Sequence, residues 1–215
     1  MSTPLTVAVS GSSGLIGSAL LERLRQDGHT VVPMVRRPAK DGEIHYDPRN
    51  GVLDPESLVG VDAVVHLAGA GIGDRRWTDR YRREILESRT LSTSLIAEAM
   101  ASVANRGGPR VLLSGSAIGF YGATGDEELN ERSAAGEGFL ADVCRAWEAA
   151  TSPAEDAGVR VVHLRTGLVL SPRGGALKKL LPLFRFGLGG RMGSGRQWQS
   201  WISLDDEVGA IVFLL

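Results

Sequence analysis

The sequence is poor in the residues that usually carry a recognisable chemistry. One cysteine, Cys144, stands among 215 residues, which excludes an internal disulfide and a cysteine-rich zinc site and fits a reducing, cytoplasmic setting. Only three lysines (Lys40, Lys178, Lys179) and three tyrosines (Tyr46, Tyr81, Tyr121) occur. Neither sign of charge dominates. Lys and Arg number 24 against 25 Asp and Glu, a formal net charge of −1, which argues against a nucleic-acid partner. No apolar run approaches the roughly 20 residues of a membrane span. The stretch Met1 to Leu5 lacks the basic start and apolar run of a signal peptide. His29, His45, His66 and His163 show no metal-ligand spacing, and no G-x-S-x-G elbow supports Ser-His-Asp chemistry. His66 and His163 end apolar strands and are expected to be hydrogen-bonded near the core.

What is abundant is glycine, 28 residues or about 13%, near twice ordinary usage. Without a repeat period, such glycine serves tight turns and close approach of backbone to ligands. Hydrophobic residues at 43% and charged residues at 23% are ordinary values for one globular core. Short β-branched runs (Thr6 to Ser10, Thr30 to Val35, Ala63 to Leu67, Arg110 to Ser114, Val159 to Leu164) read as strands. Between them run helical patterns at Leu15 to Gln26, Arg80 to Ala104 and Phe139 to Ala157, with loops at Arg36 to Pro55, Ala70 to Asp79 and Ile118 to Gly138. Continuous apolar strands separated by helices predict an α/β fold, a Rossmann-like doubly wound parallel sheet covered on both faces. Asp205 to Leu215 reads as a further helix that stops without a cap or breaker, so the chain is expected to be truncated there.

Directly after the first strand, Gly11-Ser12-Ser13-Gly14-Leu15-Ile16-Gly17 opens a helix. Gly11 permits the tight turn, Gly14 lets a pyrophosphate approach the backbone, and Gly17 lets helix and strand pack closely. With Ser13, Leu15 and Ile16 this loop is the candidate dinucleotide site. The second strand ends in Val35-Arg36-Arg37, where an NAD-selective site places Asp or Glu for the ribose 2′-hydroxyl. Arginine offers a fork of donors to a 2′-phosphate, so Arg36 and Arg37 favour NADP over NAD; the alternative is a solvated basic turn.

Together with His66-Leu67-Ala68-Gly69-Ala70, the loop resembles the extended short-chain dehydrogenase/reductase superfamily, the NAD(P)-dependent epimerase/dehydratase group. Glu84-x-x-x-Ser88-Arg89-x-x-x-Thr93, Trp147-Glu148-Ala149-Ala150 and Gly193-Ser194-Gly195-Arg196-Gln197 narrow the match. They resemble the atypical subgroup of epimerase family proteins that carry a further C-terminal domain of unknown function. The resemblance covers essentially the whole chain. It implies an NADP-binding Rossmann domain over residues 1–170 and the start of a substrate-side region over 171–215. By position it implies that Arg36, Leu67, Ala68, Gly69, Glu84, Arg89, Ser114 and Val169 line the cofactor. Each has an ordinary alternative: Leu67, Ala68 and Val169 as core, Glu84 and Arg89 as a solvated helix face. Arg89 shares a helical face with Ile85, Thr93 and Ile96, which favours it as a ligand.

Active members of the superfamily use a Tyr-x-x-x-Lys pair, whose lysine and cofactor lower the tyrosine pKa for proton transfer. Four residues beyond Tyr46, Tyr81 and Tyr121 lie Asn50, Ile85 and Gly125, so the pair is absent. Aligned on Trp147-Glu148, its positions fall near Leu140 and Cys144, and Cys144 reads as a small core residue. Ser114-Gly115-Ser116-Ala117 followed by Phe120-Tyr121-Gly122 does resemble the epimerase Ser-Ala…Tyr-Gly segment, which makes Ser116 and Tyr121 the candidate catalytic residues. Their alternatives are a strand-end turn and loop packing. Asp205-Asp206-Glu207 reads as a helix cap, not a magnesium site. The glycine-rich stretch after Leu177 to Phe184, with Arg196, Trp198 and Trp201, suits a sugar-like or anionic small-molecule substrate, or else packs beneath a further domain. Two functions stay open: an NADP(H)-dependent oxidoreductase or epimerase, and an NADP(H)-binding sensor or partner-binding module without turnover. Neither a nucleic acid nor a membrane is expected as a partner, whereas a homodimer through the long helices is compatible with the resemblance.

Overall fold

The computed structural model describes residues 3–191 and 193–215. Strand β1 (Thr6–Ser10) leads into α1 (Leu15–Gln26) and returns as β2 (Thr30–Val35), as the apolar runs predict. Then come β3 (Ile44–Asp47), β4 (Val52–Leu53), β5 (Ala63–His66), α2 (Asp79–Val103) and β6 (Val111–Gly115). Helices α3 (Phe139–Ala149) and α4 (Ser152–Asp156) precede β7 (Arg160–Leu164). The chain closes with β8 (Leu168–Leu170), α5 (Gly175–Arg185), β9 (Trp201–Ser203) and α6 (Leu204–Leu214).

Seven strands lie in the order β4-β3-β2-β1-β5-β6-β7, parallel except for the β3–β4 pair, and β8 and β9 form a separate parallel pair. This is the expected α/β Rossmann-like sheet. Alternation along its strands feeds two cores. Ala8, Val64 and Leu112 face Ile96, Ala97 and Met100 of α2. Val7, Val9, Val65 and Leu113 face Leu20 and Leu24 of α1 and Leu204, Val208 and Ile211 of α6. A strand buried on both faces has no position for a charge, which explains the continuous apolar runs. Each fully buried Leu or Ile contributes roughly 1.5–3 kcal/mol. The winding reverses between β1 and β5, and this places the ligand crevice at the carboxyl ends of those strands. One register row across four strands sets Ser10 beside His66, His66 beside Ser114, and Ser114 beside His163.

Three expectations are corrected. The segment Arg36 to Pro55, expected as a loop, contains β3 and β4; Ile44, Tyr46 and Leu53 are buried and extend the sheet at its edge. The helix expected over Phe139 to Ala157 is two helices, because Pro153 has no N–H to donate and its ring would meet the carbonyl of Ala149. Pro153 instead sits in the first turn of α4, where a missing N–H is harmless. The cap of α6 is Ser203, whose Oγ accepts from the Asp206 N–H at 3.0 Å, rather than the acidic triplet. Of that triplet Glu207 turns inward, where its buried carboxyl accepts from Thr166 Oγ1 at 2.8 Å. Among the described residues no helix is long and apolar enough to cross a membrane.

Candidate functional site

The glycine loop is forced by contact. Gly11 has φ of +67°, and a Cβ there would lie 2.7 Å from the Leu67 carbonyl carbon. A Cβ on Gly17 would lie 2.2 Å from Gly11 O, closer than any side chain is tolerated. Gly14 is the N-cap of α1, with no side-chain cap and no acidic residue in the first turn. The helix therefore presents amide N–H groups and the positive end of its dipole to whatever lies in front of it. What lies in front is a crevice of about 400 Å³ lined by Ser13, Gly14, Leu15, Ser18, Arg173 and Gly174, among others. Arg173 was not among the residues read from the sequence. Its only signal there is the glycine pair that follows it.

Around the crevice the other candidates divide. Leu67, Ala68, Ile16 and Val169 pack against the two cores. Arg36 is exposed just past β2. Arg37 is taken up by Glu43, with both terminal nitrogens 2.6 Å from its carboxylate oxygens. Glu84 faces Arg75 at 3.6 Å on the α2 surface. Arg89 lies against Gly69, donates from Nη1 to the carbonyls of Ala70 and Ile85 at 3.0 Å, and stacks over Trp147 at 5.0 Å. Burial pulls its pKa down. Ser114 is fully buried, with its Oγ 3.3 Å from Gly115 O.

Below this floor His66 is fully buried between two hydroxyls, Ser10 Oγ 2.5 Å from Nδ1 and Ser92 Oγ 3.0 Å from Nε2. Ser92 has one proton, and the Ser88 carbonyl takes it at 2.7 Å. Nε2 must then donate to Ser92 Oγ, and because burial keeps the ring neutral, Nδ1 accepts from Ser10 Oγ. Burial, with the nearby Arg89 charge second, pushes its pKa down to about 4.

The second cluster lies beyond β6 and β7. Ser116 Oγ donates to Glu148 Oε1 at 2.6 Å. Arg165 clasps the same carboxylate from Nε and Nη2 at 2.8 and 2.9 Å, and from Nη1 it donates to Tyr121 Oη at 3.0 Å. Its guanidinium lies 3.6 Å over the Phe120 ring. The backbone explains the meeting: Ser116 N–H bonds Leu164 O and Ile118 N–H bonds Thr166 O, so the segments after β6 and β7 run side by side. Trp147 packs where a Gly115 Cβ would stand, 2.8 Å away, and brings the next residue, Glu148, to Ser116. Burial raises the Glu148 pKa, but the hydrogen bonds from Arg165 and Ser116 outweigh it and hold the carboxyl below the usual range. A cleft of about 410 Å³, lined by Tyr121, Asn130, Glu131, His163 and Arg165, opens beside the cluster.

Ser116 and Tyr121 are thus joined through two residues that sequence reasoning did not select as functional. Glu148 was visible only as part of Trp147-Glu148, and Arg165 only as the residue after a strand. On α3, Leu140 and Cys144 face Gly119, and the Cys144 thiol is buried and pushed up in pKa by that burial. Trp198 and Trp201 are largely exposed, with Trp198 Nε1 donating to Asp126 at 2.7 Å. Among the described residues no group of three or more His, Cys, Asp and Glu side chains is placed to hold a metal.

A model of the NAD dependent epimerase/dehydratase family matches residues 7–215. The epimerase family protein Mb2239 of Mycobacterium bovis is 50% identical over 97% of this chain and 68% of its own length. The crystal structure of a nucleoside-diphosphate sugar epimerase from Corynebacterium glutamicum is 44% identical with a TM-score of 0.86, covering 99% of this chain and 44% of that one. The crystal structure of human epimerase family protein SDR39U1 (isoform 2) with NADPH is 34% identical with a TM-score of 0.87, covering 97% of this chain and 69% of that one. The chain therefore spans under half of the Corynebacterium protein and about two thirds of the other two.

Proposed function

This chain belongs to the NAD dependent epimerase/dehydratase family, and from that premise we propose that it binds NADP(H) and carries out hydride-transfer chemistry on a small, sugar-like or anionic molecule of the nucleoside-diphosphate sugar class. The observation that carries the reading is the glycine loop, where two glycines with no room for a Cβ hold the tight turn and the close helix–strand approach, and the uncapped end of α1 borders an open crevice. The donor set suits the group: backbone amides of Leu15 to Gly17, the Ser13 hydroxyl and the Arg173 cation for the diphosphate, Arg36 for a 2′-phosphate. Leu67, Ala68, Gly69 and Val169 form its apolar floor, with Arg89 beside Gly69 and Ser114 buried beneath. NADPH bound to human SDR39U1 supports the phosphorylated form of the cofactor. When bound, the nicotinamide supplies or accepts a hydride. Tyr121 presents its hydroxyl proton, and Ser116 an Oγ lone pair, to the substrate oxygen, and together they orient it.

Fluorescence titration with NADPH and NADH, on wild type and Arg36→Ala, tests the cofactor. NADPH is expected to bind more tightly, and the variant to lose at least about tenfold for NADPH alone, the loss of one charge-assisted bond. Equal binding of both cofactors would remove the arginine argument, and binding of neither would remove the cofactor. Turnover is probed with UDP-glucose and NADP+, read by NADPH absorbance and by NMR of the sugar. Ser116→Ala and Tyr121→Phe are expected to abolish it while leaving NADPH affinity in place. A second reading, cofactor binding without turnover, is favoured by one feature, the α3 face on which Leu140 and Cys144 offer no acid–base group.

A further inference from the structure

Without a Tyr-x-x-x-Lys pair, hydride transfer to or from a carbon–oxygen bond still needs a group that moves the oxygen's proton. Among the described residues one carboxylate is built for that task. Glu148 has 11% of its side chain exposed and Arg165 20%, so little water competes for either. Arg165 binds both carboxylate oxygens, and its further contacts with Phe120, Tyr121 Oη and the Glu131 carbonyl keep the guanidinium from turning away. Bidentate clasping fixes the carboxylate plane as well as its charge. The Ser116 proton occupies the position left on Oε1, at a distance typical of a charge-assisted O–H···O bond. Ser116 is buried, with the Cys144 thiol beside its hydroxyl, and a serine whose proton is so committed keeps an Oγ lone pair to accept from a substrate hydroxyl.

We propose that Ser116 and Glu148 are the proton-accepting pair of this site, with Arg165 as the positioning residue that keeps Glu148 ionised and in register. The inference rests on the hydride-transfer reading above. As a substrate C–H bond breaks and its hydride passes to an oxidised nicotinamide, the hydroxyl proton passes to Ser116 Oγ. The proton of Ser116 passes in turn to Glu148 Oε1, so the carbonyl forms and Glu148 becomes neutral. In reduction every step reverses. Glu148 recovers its charge toward the β7 cleft, where His163 Nδ1 lies 3.9 Å from Oε2 and the imidazole lines the cavity. The groups facing Glu148 are Arg165, His163, Ser116 and Cys144, and Glu155 faces His163 from α4.

A test that needs no natural substrate uses phenylmethylsulfonyl fluoride on the full chain, with labelled sites and rates read by mass spectrometry. At Ser116 an Oγ–S bond forms and the S–F bond breaks; fluoride leaves and the serine proton goes to Glu148. Wild type is expected to label at Ser116 ahead of its other serines, and Glu148→Gln to slow that labelling about a hundredfold, a typical general-base contribution. The pH profile of wild type supplies a second measurement that no misfolded variant can spoil. With Glu148 as the base, the rate is level across neutral pH and falls only below the ordinary glutamate range near about 4.3. Without a base it climbs tenfold per pH unit with hydroxide. No labelling at Ser116, indifference to Glu148→Gln, or the hydroxide slope would each overturn the pair. The NADPH titration fails or succeeds separately, so loss of cofactor binding with Ser116 still labelled would count against the cofactor alone.

Discussion

The crevice in front of α1 and the cluster beyond β6 and β7 are built by opposite means. The first is a site of absences: two Cβ atoms that would not fit, a helix end without a cap, and no acidic side chain in its first turn. The second is a site of commitments, in which Ser116, Glu148, Arg165 and Tyr121 already hold one another. Backbone amides and open space bind a ligand by shape and dipole and tolerate no bulk. A closed side-chain network holds one protonation state and tolerates no lost partner. The two sites should therefore break in different ways.

Gly17→Ala should do the largest damage to the crevice. Its Cβ would lie 2.2 Å from Gly11 O, a backbone atom that cannot swing aside, so α1 must move off β1. A loss of at least about 3 kcal/mol in urea unfolding is expected, the upper end of overpacking penalties. NADPH binding should vanish with it. Binding that survived in a folded Gly17→Ala protein would mean that the loop is not the cradle.

Arg165→Met should be the corresponding break in the cluster. It leaves Glu148 largely buried and unpaired, at a cost of about 3 kcal/mol, or roughly 6–12 °C in melting temperature for a chain of this size. The pH dependence gives the sign. Glu148 titrates below its unfolded value, so its contribution is fully present above the ordinary glutamate range and fades as pH falls through the depressed folded pKa. The variant should lack that acid limb. Stability curves of equal steepness in wild type and Arg165→Met would show that the ion pair contributes nothing.

These opposite constructions also explain what the sequence disclosed. The glycine loop depends on spacing within seven consecutive residues, and sterics make glycine obligatory at Gly11 and Gly17, so its pattern was legible in one line of text, whereas Arg173, which also lines the crevice, was not. The strand and helix alternation was legible for the same reason, since burial on both faces leaves no polar position. The cluster draws on residues 116, 121, 148 and 165, which meet only because the segments after β6 and β7 run together and Trp147 seats against Gly115. Glu148 shows in the sequence only as part of the Trp147-Glu148 motif, and nothing local marks Arg165. β3 and β4 stayed hidden because two such short strands carry too few apolar residues to show a period. The single helix expected over Phe139 to Ala157 failed because Pro153 sits inside an otherwise helical composition.

A third experiment addresses the floor the two sites share. His66 is neutral and fully buried, with a folded pKa of about 4 against an ordinary 6.5. A base depressed by folding favours the native state above its unfolded pKa and loses that preference as pH falls toward the folded one. Between about pH 6.5 and 4, stability should decline by up to about 1.4 kcal/mol per pH unit from this group alone. His66→Gln keeps an acceptor and a donor but cannot titrate. Urea unfolding at pH 7 and pH 5 should show a smaller difference for the variant than for wild type, and an equal difference would place the acid sensitivity elsewhere.

The smallest effect expected is the most discriminating for the crevice itself. Arg36 and Arg37 are adjacent, carry the same charge and were equally eligible as partners of a 2′-phosphate. The structure separates them. Both terminal nitrogens of Arg37 lie 2.6 Å from Glu43, and one also donates to the Pro38 carbonyl. Its charge is matched before any ligand arrives, and its hydrogen bond to Glu43 holds that carboxyl down to about 2. Withdrawing it to bind phosphate would strand Glu43 beside a second anion. Arg37→Ala should therefore change NADPH affinity by no more than about twofold, as for an exposed ion pair of little net consequence. The tenfold loss expected of Arg36→Ala sets the scale. If the two substitutions weaken NADPH equally, the Arg37–Glu43 pair opens on binding, and the basic turn then acts as one unit instead of one arginine and its neighbour.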